Sequence, residues 1–336
     1  MATKKRDIID IGDGWACALH TKNQCPSIQC FFCDTPIREI PISTLIESVP
    51  FNHSKNNSEI SPANDPFSIV QIPEPKSLIK VASLLHAVIR KTALNVNAYV
   101  VSIDNEAPSL VISVGGNSRH QYQNAEIGNM TATTEAAQNM ACTGATPVAF
   151  FKLPILSNGE NQPIMGLLGL LPKATPCTNI AFKRKGEMIY LLGRSVEDIS
   201  SSEYLYSFHH IHPSPAPYIN SQEQNRLQTV LFEAINNNLI SSIHSITRGG
   251  IFTSLIESSI PNQLGFDVTT DVEIREDAFL FGEALGRYIV STSEEKDASF
   301  VDMMTQNKIQ ITTLGHTTRG EIRIDDISFG FISDFT

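Results

Sequence analysis

Two short cysteine-containing spacings stand out near the start of the chain. Cys17-x2-His20 and Cys30-x2-Cys33 are spaced as two knuckles that can close round one tetrahedral zinc ion, with Cys25 left over. The alternative for the same residues is a cysteine-rich hairpin with reduced, partly buried thiols. Further along, Glu135 and Asn139 fall four apart, so on a helix both side chains share a face and can reach one cation or one phosphate-bound water. A polar helix edge would look the same. Gly249-Gly250 precedes an apolar stretch of helical spacing, and a glycine turn there can offer backbone N–H groups to an anion; a plain strand-to-helix turn is the other reading. His209-His210-Ile211-His212 reads as a loop. Pro213, Pro215 and Pro217 follow at once, and no nearby carboxylate or cysteine completes a coordination shell.

These residues need elements to position them. Ile8 to Leu45 carries short apolar stretches divided by polar turns and predicts two or three strands or hairpins. Asn52 to Asp65 lacks apolar periodicity and predicts an exposed linker. Leu78, Val81, Ala82, Leu85, Val88 and Ile89 recur at the spacing of one helix face. Strands follow at 98–103 and 110–114, a helix at 125–143 stopped by Gly144, and strands at 148–153 and 165–171. Pro172 to Pro176 marks a seam. Beyond it come a strand at 188–192 and a helix striped by Leu227, Val230, Leu231, Ala234 and Ile235. The strand 240–244 then runs into Gly249-Gly250 and a helix to about Ser259. Strands at 266–269, 287–292, 309–314 and 321–324, with a helix at 296–306, complete the pattern. The alternation predicts an α/β (α+β) protein.

Composition narrows the function classes. A chain of 336 residues, 41% hydrophobic, has ample core for two domains. Its longest apolar runs fall short of the roughly 20 residues that a bilayer-spanning helix needs, so no membrane partner is expected and a cytoplasmic protein is. With 25 basic residues among 35 acidic ones and a net charge of −10, no nucleic-acid partner is expected either. Six cysteines in a chain this long are not a disulfide framework.

Several stretches then combine into a resemblance. Thr134-Glu135-Ala136-Ala137-Gln138-Asn139-Met140-Ala141-Cys142-Thr143-Gly144-Ala145-Thr146-Pro147 is one. Gly186-Glu187-Met188-Ile189-Tyr190-Leu191-Leu192-Gly193 with Ser202-Glu203-Tyr204-Leu205 is a second. His244 with Gly249-Gly250, and Leu280-Phe281-Gly282-Glu283-Ala284 with Arg287, are the others. In this order they cover most of Ser109 to Ile324. They resemble the C-terminal half of the phosphoribosylformylglycinamidine synthase family, in the aminoimidazole-ribonucleotide-synthetase-like superfamily. Asp10 to Pro50, with Arg38-Glu39-Ile40-Pro41, resembles the tail of the domain that precedes this half.

The resemblance implies a two-domain build. Residues 1–51 would be a strand-rich segment, 52–75 a linker, 76–172 a synthetase-like N-terminal-type domain and 173–336 a C-terminal-type domain. It implies ATP-dependent amidation in purine biosynthesis, with ATP or ADP and magnesium as cofactors. Nucleotide- or phosphate-binding candidates carried over are Arg119, Glu135, Asn139, His244, Gly249, Gly250 and Glu283; no residue is assigned as catalytic.

Departures from the family pattern are as informative. Where the family shows His-Asp-x-Ser-Asp-Gly-Gly, this chain has His244-Ser245-Ile246-Thr247-Arg248-Gly249-Gly250, so both carboxylates are gone and a cation has entered. Gly115-Gly116-Asn117-Ser118-Arg119 stands where the family has Asp-Cys-Asn-x-Arg. Between Ala149 and Met165 the family carries a long insert with nucleotide, metal and substrate contacts; here a short apolar stretch, Phe150 to Gly159, closes the gap. The expectation is a degenerate half with impaired stand-alone catalysis and a nucleotide-binding or assembly role, paired as a homodimer or as a heteromer with the missing half. The alternatives are a subunit of a split synthase and a zinc-stapled interaction protein.

Overall fold

The computed structural model describes residues 8–12, 15–20, 27–32, 35–41, 59–60, 73–89, 98–101, 108–116, 125–157, 160–176, 178–211 and 217–336; for 8–60, 125–126 and 153–163 the description is of the backbone alone. Arg119 and Cys33, two of the candidate residues, lie outside it.

The first four strands, β1 (Ile8–Gly12), β2 (Trp15–His20), β3 (Ser27–Phe32) and β4 (Thr35–Pro41), form an antiparallel meander. Its register sets Cys17 opposite Cys30 and His20 opposite Ser27. The side chains of Cys17, His20 and Cys30 lie outside the described residues, so the zinc set stays a proposal. Strand β5 (Glu59–Ile60) pairs with β11 (Ile219–Asn220). The stretch read as a plain linker thus docks two residues against the far half of the chain.

A second antiparallel sheet has the order β6 (Tyr99–Val101), β7 (Ser109–Gly115), β9 (Glu160–Leu171), β8 (Thr146–Ser157). Helix α2 (Ala125–Ala141) lies on one face. Small residues permit the close approach: a Cβ on Gly115 would sit 2.2 Å from the Ala132 carbonyl oxygen, and one on Gly169 would sit 2.6 Å from Met140 Sδ. Ser113 Oγ donates to the Ala136 carbonyl at 2.7 Å. Strands β8 and β9 form one long hairpin paired from Thr146–Leu170 to Ser157–Glu160, with the Phe151 ring lying over Gly166. The sheet face away from α2 does not stand bare: Leu110, Ile112, Ala149, Phe151 and Leu168 are buried, leaving Val148 and Leu170 about two-fifths exposed.

The third sheet has seven strands in the order β12 (Ser242–Ser245), β14 (Tyr288–Thr292), β10 (Met188–Leu192), β15 (Ile311–Thr318), β13 (Gly265–Val268), β16 (Glu321–Ile324), β17 (Ile327–Phe331). All neighbours are antiparallel except β13 and β16. Strand alternation sends side chains to two cores. Ile189, Leu191, Ile289, Phe266 and Ile322 face one, with α4 (Gly250–Ser259) and α5 (Glu276–Phe281). Tyr190, Leu192, Tyr288, Val290 and Ile243 face the other, under α3 (Ser221–Asn236) and α6 (Glu294–Gln306).

The stripe of α3 buries as its spacing predicts, and Asn220 caps it by accepting from the Gln222 and Glu223 N–H groups. Helix α1 (Leu78–Ile89), which precedes the second sheet in sequence, inserts Val81, Ala82 and Leu85 into the first of these two cores beside Phe252. Its apolar face therefore serves the C-terminal part of the chain. Among the described residues no helix is long and apolar enough to cross a membrane.

Candidate functional site

Three neighbouring strands finish together. Leu192 at the end of β10 and Ser245 at the end of β12 both pair with Tyr288 at the start of β14, so the loops 193–203, 246–249 and 282–287 gather at one end of the seven-stranded sheet.

Glu283 lies at their centre. Its Oε1 accepts from the backbone N–H of Glu203 and from that of Gly249, each at 2.7 Å. Asp198 accepts from the Ser200 N–H at 2.9 Å and the Tyr218 N–H at 2.6 Å. Glu203 accepts from Arg248 Nε at 2.7 Å and from the Ser207 hydroxyl. Arg287 is 1% exposed, donating from Nε to the Ala284 carbonyl at 3.0 Å and from Nη2 to the Gly282 carbonyl at 2.8 Å. Its Nη1 has no hydrogen-bond partner among the described residues. Burial pulls its pKa down to about 10, while Asp198 and Glu283 act against that shift.

The Gly249-Gly250 turn is demanded by fit. Both residues have left-handed backbone angles, φ +82° and +71°. A Cβ on Gly249 would stand 2.4 Å from Ile89 Cδ1, and one on Gly250 would stand 2.6 Å from the Leu280 carbonyl oxygen. The turn does meet an anion: the chain's own Glu283 carboxylate.

Glu135 and Asn139 share a face of α2 and both are engaged in stitching elements together. Glu135 Oε2 accepts from the Gly116 N–H at 3.0 Å. Asn139 donates to the Val114 carbonyl at 3.1 Å and accepts from Ser245 Oγ at 2.5 Å. Next to them, Gln138 Nε2 donates to the Arg287 carbonyl at 3.3 Å, tying α2 to the loops of the larger sheet.

His244 points elsewhere, into α4. Its Nδ1 donates to the Ser254 carbonyl at 3.1 Å and its Nε2 lies 3.3 Å from Glu257 Oε2. Desolvation lowers the histidine pKa to about 4 and raises that of Glu257 to about 8. Both shifts favour an uncharged pair in which the carboxyl donates to Nε2.

Of the sequence candidates, then, Glu283, Gly249 and Gly250 come together, Asn139 touches the base of their turn through Ser245, Glu135 sits at the end of β7, and His244 is separate. Four further residues complete the cluster: Glu203, Arg248, Arg287 and Asp198. Glu203 and Arg287 lie inside the quoted motifs and Arg248 is the cation that departs from the family pattern, whereas Asp198 carries no local pattern that would have found it. Among the described residues no group of three His, Cys, Asp or Glu side chains is placed to hold a metal ion.

Comparison with known proteins places the surrounding fold. The family "AIR synthase related protein, C-terminal domain" matches residues 184–326. The phosphoribosylformylglycinamidine synthase subunit PurL of Moorella thermoacetica is 24% identical over 262 residues, 65% of this chain and 36% of the relative. That of Alkaliphilus metalliredigens is 26% identical over 271 residues, 68% and 37%. The chain therefore spans little more than a third of the length of these curated relatives. Thermotoga maritima PurL complexed with FGAR superposes with a TM-score of 0.61 at 14% identity, over 78% of this chain and 54% of that one. The same protein complexed with ADP gives 0.59 over 80% and 53%. At such identity these structures speak for the fold. With its α/β build and a matching C-terminal domain, the chain resembles the C-terminal half of phosphoribosylformylglycinamidine synthase.

Proposed function

We propose that this protein is a degenerate PurL-like half of purine biosynthesis, with impaired catalysis on its own and a role in assembly or nucleotide binding. One observation carries the reading. At the turn where the family pattern has carboxylates, Arg248 pairs with buried Glu203, and the adjacent Gly249 N–H is held by Glu283. The polar groups of the turn are bonded to one another.

The reading is tested by assaying purified protein with ATP, formylglycinamide ribonucleotide and ammonia. No product above a heat-killed control is expected; clear turnover by the chain alone overturns it. A nucleotide titration then separates the two retained roles, since Thermotoga maritima PurL has been solved with ADP, ATP and AMPPCP. ADP binding would favour the nucleotide-binding role.

A second reading, a subunit of a split synthase, draws support from the partial coverage of the PurL relatives and from an assembly described as PurLQS from Thermotoga maritima. Amidation that appears only when the chain is mixed with a protein supplying the rest of the synthase would establish it. In both readings the chain is a cytoplasmic protein of two domains, 76–172 and 173–336, with α1 of the first packed into the core of the second, and it pairs with a copy of itself or with the other half. Val148 and Leu170 on the exposed rim of the second sheet are the apolar residues such a contact would cover. Light scattering that returns a 36.9 kDa particle would remove the homodimer.

A further inference from the structure

The loops at the end of the seven-stranded sheet already contain their cations. Three carboxylates converge there, and each is turned onto a group of the chain. Glu283 holds two peptide N–H groups, Asp198 holds two more, and Glu203 holds the Arg248 guanidinium. Glu203 is only 2% exposed at its side chain, and Arg248 is 34% exposed, so the pair has one desolvated and one wetted member. The second guanidinium, Arg287, sits wholly inside.

Magnesium demands a near-octahedral set of oxygens and is usually held by one or two carboxylates able to turn toward it. The donors at this turn do not fit that requirement. Turning Glu283 outward would release the Gly249 and Glu203 N–H groups in a buried place, and turning Glu203 outward would break its pair with Arg248.

We propose that Arg248 is a built-in replacement for a divalent cation. Its guanidinium neutralises the Glu203 carboxylate, so the β12–α4 turn is assembled and held closed without metal. The inference rests on the PurL-like reading only for the expectation that a metal belongs at this turn; the substitution itself is in the chain's own geometry. A tethered guanidinium does not dissociate, so the turn is indifferent to the magnesium level around it.

The test is a set of thermal melts on the full chain with Mn2+ or Mg2+ at millimolar concentration or with a chelator, alongside Mn2+ binding followed by electron paramagnetic resonance. Wild-type protein is expected to melt at the same temperature in all conditions and to show no bound Mn2+ that Glu203→Gln removes. Arg248→Asp places a second carboxylate beside Glu203. It is expected to melt lower in chelator, to recover by several degrees with Mn2+ and to bind the ion, while Arg248→Lys stays close to wild type.

Mn2+-dependent stabilisation of the wild type that Glu203→Gln abolishes would overturn the proposal, as would an Arg248→Asp protein that folds yet ignores metal. If Arg248→Asp does not fold, Arg248→Met and the double variant Arg248→Met with Glu203→Gln decide. The double is expected to melt above the single, because it leaves no uncompensated buried carboxylate; equal melting of the two overturns the pairing. No arm depends on turnover, so these outcomes are separate from those of the synthase assay.

Discussion

Glu283 and Gly249, 34 residues apart in sequence, are joined by a 2.7 Å hydrogen bond from the glycine N–H to the buried carboxylate. Because the same oxygen also accepts from the Glu203 N–H, one side chain fixes two loops. Glu283→Ala should cost about 3 kcal/mol, the usual range for stranding buried donors. Glu283→Gln, which keeps an acceptor oxygen, should cost roughly 1–2 kcal/mol less. Chemical denaturation gives both values, and an alanine variant within about 0.5 kcal/mol of wild type would show that the carboxylate is not holding the loops.

The glycine turn can be tested against a control in the same chain. Gly186 has φ +85° with nothing within 4 Å of an added Cβ, whereas Gly250 has φ +71° with the Leu280 and Gly282 carbonyl oxygens closer than 3 Å. Gly186→Ala should cost about 1–2 kcal/mol, the left-handed backbone penalty alone. Gly250→Ala should cost at least about 3 kcal/mol, since rigid backbone must also move. Equal losses would mean that the approach of α4 to the end of α5 is slack.

The His244–Glu257 pair predicts a stability profile. Glu257 is raised to about 8 in the folded protein and His244 lowered to about 4, so folded and unfolded chains each hold about one proton on the pair between pH ~4.5 and ~6.5. Stability there is flat. Above pH ~6.5 the unfolded histidine gives up its proton while the folded pair keeps one until about pH 8. The contribution of the raised carboxyl is therefore lost as pH rises through that window, by at most about 1.4 kcal/mol per pH unit. Glu257 keeps 17% of its side chain exposed, which places the observed slope below that ceiling. Denaturation of wild type and Glu257→Gln from pH 6 to 9 should show the slope only in the wild type. Parallel profiles would refute the shared proton.

The N-terminal meander has two readings, a hairpin of reduced thiols or a zinc site on Cys17, His20, Cys30 and Cys33, and metal content separates them. If the four residues hold zinc, metal analysis should find close to one equivalent per chain, and Cys30→Ser should release it and lower the melting temperature, since structural zinc contributes directly to folding. Metal-free protein of unchanged stability leaves a hairpin of reduced thiols.

Much of this was written locally in the chain. The helices carrying Val81, Ala82, Leu85 and Leu227, Val230, Leu231 declare themselves by a 3.6-residue apolar period, and β10 by flanking turns and a short apolar run. The short helix α5 escaped because six residues make less than two turns of helix, and strand β17 was missed as well. The motifs around Glu135, Gly249 and Glu283 likewise pointed to the resemblance without any coordinates. What the sequence could not say is which groups meet. Local spacing cannot distinguish a glycine turn awaiting an anion from one that already holds Glu283, nor show that Arg248 would find Glu203, 45 residues earlier. His244 and Gly249 are neighbours in a motif, yet β12 turns the histidine into α4 toward Glu257 while the glycine faces the loops. Those pairings are long-range, set by the shared ends of β10, β12 and β14, and only tertiary packing decides them because hydrogen bonds and desolvation act through space, not along the chain.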